Sequence, residues 1–287
     1  MPPPVGWGPT VTEIQMTDLP GFETLLTERR GRVLHVTLNR PETKNAINRD
    51  MVRDLTRLAD LLAQDRETGA IVMRGANGTF CAGGDIKGFM TMFKSAPPRA
   101  GEKDSVALGN REFGSFMTRF EALPQAIVMV VEGSAYGGGL GLLCAGDVVL
   151  AAADAKFAMS ETGLGIPPAQ IAPFVAARVG IARTRRLALT GYRFDGREAE
   201  RIGLVDVTYA DLATLEAGLT RVLAEIGRCA PGANAAIKRL LLASRTMPRD
   251  QLLDESADAF AACLRGLEGQ EGVTAFLEKR KPGWVDR

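Results

Sequence analysis

Residues 80–89 read FCAGGDIKGF and residues 131–157 read VEGSAYGGGLGLLCAGDVVLAAADAKF, and these two stretches decide the fold. Each follows a short apolar run: residues 70–74 (AIVMR) precede the first stretch, separated from it by a turn, and residues 127–131 (IVMVV) lead into the second. Short β-branched runs followed by glycines predict buried strands that lead into tight turns. Glycines ahead of a helix also let backbone N–H groups approach an anionic ligand closely. For either stretch alone, tight turns that serve only packing are an equally good interpretation.

Strands and helices alternate around these two stretches. Residues 32–38 alternate in polarity and predict a strand, and so does the apolar run at 148–152. Apolar residues within 49–64 recur at helical spacing, which predicts an amphipathic helix. Residues 88–109 show no clear period, so we expect a mobile surface loop there, followed by a helix near 110–122.

From about residue 173 the pattern becomes helical, and only the run LVDVT at 204–208 predicts a further strand. The predicted helices are residues 173–190, 196–203, 211–228, 231–246 and 249–266. Alternating strands and helices followed by helices alone are typical of an α/β protein with a helical C-terminal part.

The bulk composition is that of an ordinary globular protein and argues against two classes of partner. Of 287 residues, 46% are apolar and 24% charged, and 35 basic against 34 acidic side chains leave a net charge of +1. We therefore expect no nucleic-acid partner. The longest apolar stretch, residues 126–131, is far too short to span a bilayer, so we expect no membrane partner either.

One histidine and four scattered cysteines limit the available chemistry. His35 lies in the alternating run 32–38, so a structural role is favoured, and a histidine-rich zinc site is impossible. A Ser-His-Asp triad would need His35 itself. We expect no metal site, a cytoplasmic location and reduced thiols. The cysteines, which form no CxxC pair, are Cys81, Cys144, Cys229 and Cys263.

Nucleotide-binding loops are a poor match to the glycine-containing segments. Residues 137–144 lack the G-x-G-x-x-G pattern of dinucleotide sites, and no Gly-Lys-Ser/Thr follows a glycine-rich loop. Together the two stretches instead resemble the crotonase (enoyl-CoA hydratase/isomerase) superfamily, and the resemblance covers roughly residues 20–285. It is supported by LNRPETKNAIN at 38–48, ETGLGIPP at 161–168, RFDGREAERIGLVD at 193–206 and FLEKRKPGW at 276–284.

The resemblance implies a fold and a division of the chain. We expect an α/β fold with a crotonase-type ββα spiral core, which would comprise residues 21–210 and hold the CoA-thioester site. Residues 211–287 would be a helical C-terminal region through which members of the superfamily form trimers or dimers of trimers, so a homotrimer or hexamer is expected. Residues 1–20, rich in proline and glycine, would be a loose N-terminal tail.

The resemblance also implies the catalytic groups. The N–H groups of Gly84 and Gly138 would form the oxyanion hole that stabilises a thioester enolate. Hydratases of the superfamily commonly use two glutamates, and this chain has Glu161 at one of the two positions and Gly141 at the other. Glu161 is therefore the expected acid–base catalyst.

Coenzyme A would enter as part of the acyl-CoA substrate, and no separate cofactor is expected. Tyr136 and Gln170 are candidates for the lining of the acyl pocket. The residues expected to bind CoA are Ala82, Gly84, Arg40, Lys44, Phe276 and Lys279. The ring of Phe276 is expected to pack near the adenine of a neighbouring subunit.

Three other acidic residues near these motifs are more often structural. Asp85 is expected to cap a short helix. Asp147 follows the glycine helix and precedes a strand. Glu132 stands where the family often has asparagine, and a structural role in its loop is favoured over a role in the site.

The preferred reaction is syn hydration of a 2-enoyl-CoA, in which Glu161 takes a proton from water and returns it to the same face of the substrate. Gly141 leaves an enoyl-CoA isomerase as the first alternative, because moving a double bond needs only one carboxylate. An inactive acyl-CoA-binding scaffold and a thioester hydrolase are further alternatives. Within the superfamily the sequence resembles the isohexenylglutaconyl-CoA hydratase branch, through residues 161–175, 228–244 and 268–284.

Overall fold

The computed structural model describes residues 19–94 and 96–285. The strands of the described chain are β1 (Leu25–Arg30), β2 (Val33–Leu38), β3 (Ala70–Gly75), β4 (Ala126–Val131), β5 (Ser134–Tyr136), β6 (Val148–Ala152), β7 (Lys156–Ala158), β8 (Arg193–Asp195) and β9 (Val207–Tyr209). Its helices are α1 (Arg49–Leu62), α2 (Ile86–Met92), α3 (Ser105–Glu121), α4 (Gly138–Leu143), α5 (Ala172–Val179), α6 (Ile181–Thr190), α7 (Gly196–Arg201), α8 (Leu212–Gly227), α9 (Pro231–Ala243), α10 (Arg249–Arg265) and α11 (Leu267–Leu277).

A six-stranded sheet in the order β1-β2-β3-β4-β6-β9 forms the centre of the molecule. β1 and β2 are antiparallel, and every other pair is parallel, with Val33 beside Ala70 and Ala70 beside Ala126. Parallel neighbours require crossovers, which bring the loops after β2, β3 and β4 to the same edge of the sheet. The glycine-containing stretches follow β3 and β4, so this edge holds both.

A second, three-stranded sheet in the order β5-β7-β8 covers this edge. Its short strands alternate, so Ala135 and Phe157 face the core while Tyr136 and Lys156 face outward. Two isolated parallel bridges, Ile47 with Gly84 and Cys81 with Ala135, continue the pairing between the two sheets. The chain therefore turns from one sheet into the next in a spiral, which confirms the predicted crotonase-type α/β fold.

The core lies on both faces of the large sheet. One cluster of buried side chains includes Leu55 and Leu58 of α1 with Phe116 and Phe120 of α3. The opposite face is covered by α8, whose Leu215 packs with residues of β3, β4 and β6. At the N-terminal end of the described chain, Leu19 already packs against the first cluster; residues 1–18 of the predicted tail lie outside the described residues.

Two predicted elements of the middle of the chain were wrong in extent. The loop expected at 88–109 is partly helical, because α2 runs to Met92 and α3 begins at Ser105, with Asp104 accepting a hydrogen bond from the Val106 N–H. The single helix expected at 173–190 is broken at Gly180, whose φ of +83° ends α5 before α6 begins.

The strand expected at 204–208 begins later than predicted. Leu204 and Val205 are buried but outside the sheet, and β9 starts at Val207. Just before β9, Asp206 bonds Val149 twice: its carboxylate accepts the Val149 N–H at 2.7 Å, and its own N–H donates to the Val149 carbonyl at 2.9 Å. The short strands β5, β7 and β8, the hairpin strand β1 and helix α11 were not predicted.

Two of the C-terminal helices contribute no residue to the buried core. Helices α9 and α10 contain no buried residue. Lys238 of α9 anchors them to the sheet, since its Nζ bonds Asp147 Oδ2 at 2.7 Å and the Gln125 carbonyl at 3.0 Å. The boundary predicted at 210/211 falls just before α8, but the assignment of 211–287 to trimerisation stays a prediction.

Candidate active site

The backbone around Gly84 is fixed by one neighbouring residue. Ile47 donates its N–H to the Gly83 carbonyl at 2.7 Å and accepts the Asp85 N–H at 2.9 Å. In this parallel bridge the N–H of Gly84 itself points away from Ile47. It donates to no atom of residues 19–94 and 96–285. A Cβ on Gly84 would lie 2.5 Å from the ring of Phe89, so a larger residue there would have to displace that ring.

Gly138 begins helix α4, so its N–H has no intrahelical partner. Within the described residues it donates to no other acceptor either. The preceding Gly137 has φ +47° and ψ −120°, a backbone conformation that residues other than glycine rarely adopt. This turn lets the chain enter α4 with the Gly138 N–H unpaired, and the helix dipole adds partial positive charge at the same end.

The two free N–H groups belong to one small region. A Cβ on Gly138 would lie 3.2 Å from Ile47 Cδ1, and Ile47 is the residue whose backbone brackets Gly84. A Cβ on Gly83 would lie 3.0 Å from the Tyr136 carbonyl oxygen and 3.8 Å from Gly137 Cα. The spiral therefore brings together two stretches that lie about fifty residues apart in the sequence.

The Glu161 carboxylate lies directly against this turn. It follows β7 in the 3-10 turn Glu161–Leu164, and its Oε1 would be 2.8 Å from a Cβ on Gly137. Oε2 is buried and has no hydrogen-bond partner. Burial disfavours the charged form and raises the pKa of Glu161 above its ordinary range. A buried carboxylate with a spare lone pair and a raised pKa suits proton transfer near neutral pH.

The place of a second catalytic glutamate is filled by a hydrocarbon side chain. A Cβ on Gly141 would lie 2.1 Å from Ile171 Cγ2 and 2.4 Å from its Cβ. Ile171 itself is buried and belongs to the core. A glutamate at position 141 would therefore collide with Ile171, so the loss of that carboxylate is built into the packing around it.

Aromatic side chains of α2 and α3 flank the two glycines. Phe89 of α2 packs on Gly84, and Phe113 of α3 lies 3.9 Å from a Cβ position on Gly138. The Gln170 carboxamide reaches the same helix, with its Oε1 only 1.9 Å from a Cβ position on Gly114. Gln170, a predicted pocket residue, therefore packs against α3 and is followed in the chain by Ile171.

Tyr136 is not brought into this group. Its ring lies on the outer face of the small sheet, where Arg193 Cζ is 5.9 Å from the ring centroid. It opens into a cleft that Lys156 and Tyr192 also line and that Glu161 does not. Tyr136 contacts the region of the glycines through its backbone carbonyl, which lies beside Gly83, and not through its ring.

The residues expected to bind CoA fall into two groups. Lys44 and Ala82 are adjacent, since the Ala82 N–H donates to the Lys44 carbonyl at 3.0 Å, and the Lys44 side chain is exposed. Arg40 is half-buried and forms an ion pair with Asp85 at 3.0 Å. Phe276 and Lys279 lie at the far C-terminal end, on and just after α11, where Phe276 is 82% exposed.

The three acidic residues expected to be structural have the partners that such a role requires. Asp85 caps α2 by accepting the Lys87 N–H at 3.0 Å. Glu132 forms an ion pair with Arg74 at 3.1 Å. Asp147 accepts the Ile127 N–H and binds Lys238, both at 2.7 Å.

Sequence reasoning missed the residues that shape the site. Ile47 and Ile171 are apolar residues whose significance appears only from what they touch. Phe89 fell in the expected loop, so its helical position was not anticipated, whereas Phe113 lies in the helix predicted near 110–122 but carried no signal for a place beside Gly138. A signal for Asp85 was present in the sequence, because an aspartate ahead of a helix predicts a cap, but its pairing with Arg40 was not visible.

The fold and this arrangement define a class, and comparison with known proteins agrees. The model of the enoyl-CoA hydratase/isomerase family matches residues 28–287, and the chain belongs to that family. Its members act on acyl-CoA substrates.

Within the described residues no helix is long and apolar enough to cross a membrane, and no group of His, Cys, Asp and Glu has the geometry of a metal site.

Some relatives are named as hydratases and others as isomerases. The chain is 50% identical to Pseudomonas aeruginosa AtuE, a solved structure with a TM-score of 0.87 that covers 92% of this chain and 100% of that one. A peroxisomal Δ(3,5)-Δ(2,4)-dienoyl-CoA isomerase of Arabidopsis thaliana is 30% identical over 91% of this chain and 95% of its own. A probable enoyl-CoA hydratase of Mycobacterium tuberculosis is 33% identical over 93% and 99%.

Proposed function

We propose that this protein adds water to a 2-enoyl-CoA thioester, with Gly84 and Gly138 holding the thioester oxygen and Glu161 handling both protons. One observation carries the proposal. Glu161 Oε2 is buried without a hydrogen-bond partner, and the carboxylate lies against the turn at Gly137. The N–H of Gly138, which follows that turn, and the N–H of Gly84 donate to no described atom. Unpaired buried polar groups are rare in folded proteins and need an explanation, and a substrate that pairs with them supplies one.

The two N–H groups would act on the charge that develops during the reaction. When a nucleophile adds to the double bond, negative charge builds on the thioester oxygen. Preorganised donors aimed at that oxygen are worth about 3–4 kcal/mol each to the transition state. The N-terminus of α4 supports the assignment, because its dipole favours negative charge at the same end.

Glu161 would then serve as base and acid in turn. Its carboxylate takes a proton from water while the water oxygen bonds to the β-carbon and the double-bond electrons move onto the thioester. The resulting enolate collapses when the protonated Glu161 returns that proton to the α-carbon. Because one group acts at both carbons, the two new bonds form on the same face, which is syn addition.

Double-bond migration is the second candidate, and the packing at Gly141 favours it. Ile171 excludes a second carboxylate there, and an isomerase needs only one. In that reaction Glu161 would remove the α-proton of a 3-enoyl thioester and return a proton to the γ-carbon. The same two N–H groups would stabilise the dienolate between the two steps.

The substrate proposed is a branched acyl-CoA, on two grounds. The resemblance to the isohexenylglutaconyl-CoA hydratase branch is one. The other is the amount of exposed apolar surface close to the site: α2 and α3 flank the glycines, and Met90, Phe93 and Leu108 on these segments are exposed. Their side chains would cover a bulky acyl group. Coenzyme A would lie toward Lys44 and Ala82.

We further propose a homotrimer or a dimer of trimers. The support is the exposed apolar surface of the C-terminal helices, where Leu267 is 88% and Phe260 69% exposed. In such an assembly Phe276 and Lys279 would reach the CoA of a neighbouring subunit, which explains how residues on a helix at the end of the chain could contribute to binding.

Labelled water separates the candidate reactions. The protein is incubated with matched 2-enoyl-CoA and 3-enoyl-CoA esters in water containing ¹⁸O, and the products are analysed by mass spectrometry. Hydration yields a 3-hydroxyacyl-CoA carrying one ¹⁸O, whereas isomerisation converts the 3-enoyl ester to the 2-enoyl ester without label. Release of free CoA would indicate a hydrolase. No turnover of any ester across a panel of straight and branched chains would contradict the proposal.

A further inference from the structure

Arg40 braces both sides of the Gly84 backbone. One guanidinium nitrogen, Nη2, binds Asp85 Oδ2 at 3.0 Å, and the other, Nη1, donates to the Ala46 carbonyl. Ala46 precedes Ile47, the residue that brackets Gly84, and Asp85 follows Gly84 directly. A single side chain therefore ties together the two segments whose pairing sets the direction of the Gly84 N–H.

The rest of the segment strengthens this brace. The backbone N–H of Arg40 donates to Asn45 Oδ1 at 2.9 Å, and Asn45 is buried, with its amide nitrogen bonding the carbonyls of Ala76 and Thr79. Arg40 is thus anchored at its backbone as well as at its guanidinium. A lysine could replace the charge but not bridge two acceptors at fixed angles.

The burial of the pair argues for a role in positioning. The side chains of Arg40 and Asp85 are 16% and 12% exposed, and the guanidinium is already committed to a carboxylate and a carbonyl. A phosphate ligand would have to compete with Asp85 for it. Lys44, by contrast, is exposed and lies beside Ala82, so it is the better placed cation for phosphate.

We propose that Arg40 is a positioning residue, which aims the Gly84 N–H at the substrate oxygen through Asp85 and Ala46, and that it is not a ligand of the CoA phosphates. The inference rests on the proposed function, since it assumes that Gly84 donates to a thioester oxygen. Small displacements of a donor cost on the order of 10²-fold in rate, so loosening this brace affects turnover more than binding.

The test compares two substrates, one with and one without the phosphate-bearing nucleotide part of CoA. Arg40→Lys is assayed with an enoyl-CoA ester and with the same acyl group on pantetheine, which lacks the nucleotide and its phosphates. If Arg40 positions Gly84, kcat falls by roughly 10- to 10²-fold with both thioesters and KM changes little. If Arg40 binds phosphate, the variant loses affinity for the CoA ester alone, and that result overturns the inference.

Asp85→Asn provides a second variant, which keeps the test valid if Arg40→Lys folds poorly. It breaks the same bridge, so it should lower kcat similarly on both thioesters, and the double variant should be no worse than either single one. Losses that multiply in the double variant would contradict a shared role.

Arg29→Lys is the matched control. Arg29 bridges Asp65 at 2.9 Å and Thr68 at 2.8 Å. These partners precede β3, whose length of about 17 Å separates them from the edge of the sheet that holds the glycines. Arg29→Lys should cost stability without lowering kcat in the folded protein. Wild-type protein that turns over neither thioester would contradict the proposed function itself. Wild-type turnover with unchanged kcat in both Arg40 and Asp85 variants would contradict only the positioning role.

Discussion

At the scale of single residues, the environment of Glu161 is the feature on which the proposed chemistry depends. Glu161→Gln preserves the shape of the side chain but removes its ability to accept a proton. We expect kcat to fall by at least ~10²-fold while the thermal unfolding temperature stays near that of the wild type. Glu132→Gln is the control, because the Glu132 carboxylate binds Arg74 and should not change kcat in folded protein. Near-normal activity of Glu161→Gln would assign proton transfer to another group.

The pH dependence of the reaction follows from the burial of the same side chain. Burial raises the pKa of Glu161, and hydration requires its ionised form, so kcat/KM should fall as pH drops through that raised pKa. The midpoint of the acid limb should lie above about 4.3, the usual glutamate value. Initial rates measured against pH check this, and the acid limb of kcat/KM should have the slope of a single proton. An acid limb with its midpoint at or below the ordinary glutamate value would show that another group controls the reaction.

The contact between Gly141 and Ile171 leads to a prediction about stability. Gly141→Ala places a methyl group 2.1 Å from Ile171 Cγ2, and we expect a loss of about 1–3 kcal/mol in the free energy of unfolding. Ile171→Ala opens a cavity, but adding it to Gly141→Ala should cost less than the sum of the two changes. Urea unfolding of the cycle measures this. Gly227→Ala, with no atom within 4 Å of the new methyl group, is the control. Additive losses would contradict the contact.

How much of the site the sequence predicted depends on the range of the interaction. The motifs led to Gly84, Gly138 and Glu161, whose surroundings fit the roles expected of them. Arg40 was expected to bind CoA because the phosphates need a cation, and that stays a prediction. Its ion pair with Asp85 was not visible, because the two residues lie 45 positions apart and no local pattern reveals the pair. Tyr136 was expected in the acyl pocket because β5, which turns its ring outward, is only three residues long and gave no strand signal.

At the scale of elements, one lysine connects the C-terminal helices to the sheet. Lys238→Met would remove the ion pair with Asp147, which would keep only the Ile127 N–H as a donor, and would take a donor from the carbonyl of the buried residue Gln125. We expect a loss of about 2–3 kcal/mol in the free energy of unfolding, measured in urea. Arg239→Met is the matched control: Arg239, the next residue in α9, forms an exposed ion pair with Glu255, and its loss should cost less than about 1 kcal/mol. Equal losses would refute the anchoring role.

Length accounts for part of what the sequence predicted, although the longer elements β1 and α11 were missed as well. Helix α1 and strands β2, β3, β4 and β6 span enough residues for a period to show, and their predicted bounds were close to those observed. Strands β5, β7 and β8 have three residues each, too few to show an alternation. The break at Gly180 was missed because the helical spacing continues on both sides of a single left-handed glycine.

At the scale of the whole molecule, exposed apolar side chains on the C-terminal helices predict association. Light scattering coupled to gel filtration should give three or six times the chain mass of 30.7 kDa. Leu267→Asp should shift the population to smaller species, because a charge in a buried interface is costly. Leu26→Asp, an exposed position on β1 outside the helical region, should leave the mass unchanged. A wild-type monomer at micromolar concentration would contradict the proposed assembly.

The most direct test of the proposed oxyanion hole is a crystal structure with a non-reactive acyl-CoA thioester. We predict that the thioester oxygen lies 2.7–3.1 Å from the nitrogens of both Gly84 and Gly138, with a Glu161 oxygen facing the α- and β-carbons. A thioester oxygen that bonds only one of these N–H groups, or that lies elsewhere on the protein while Glu161 faces solvent, would contradict the account.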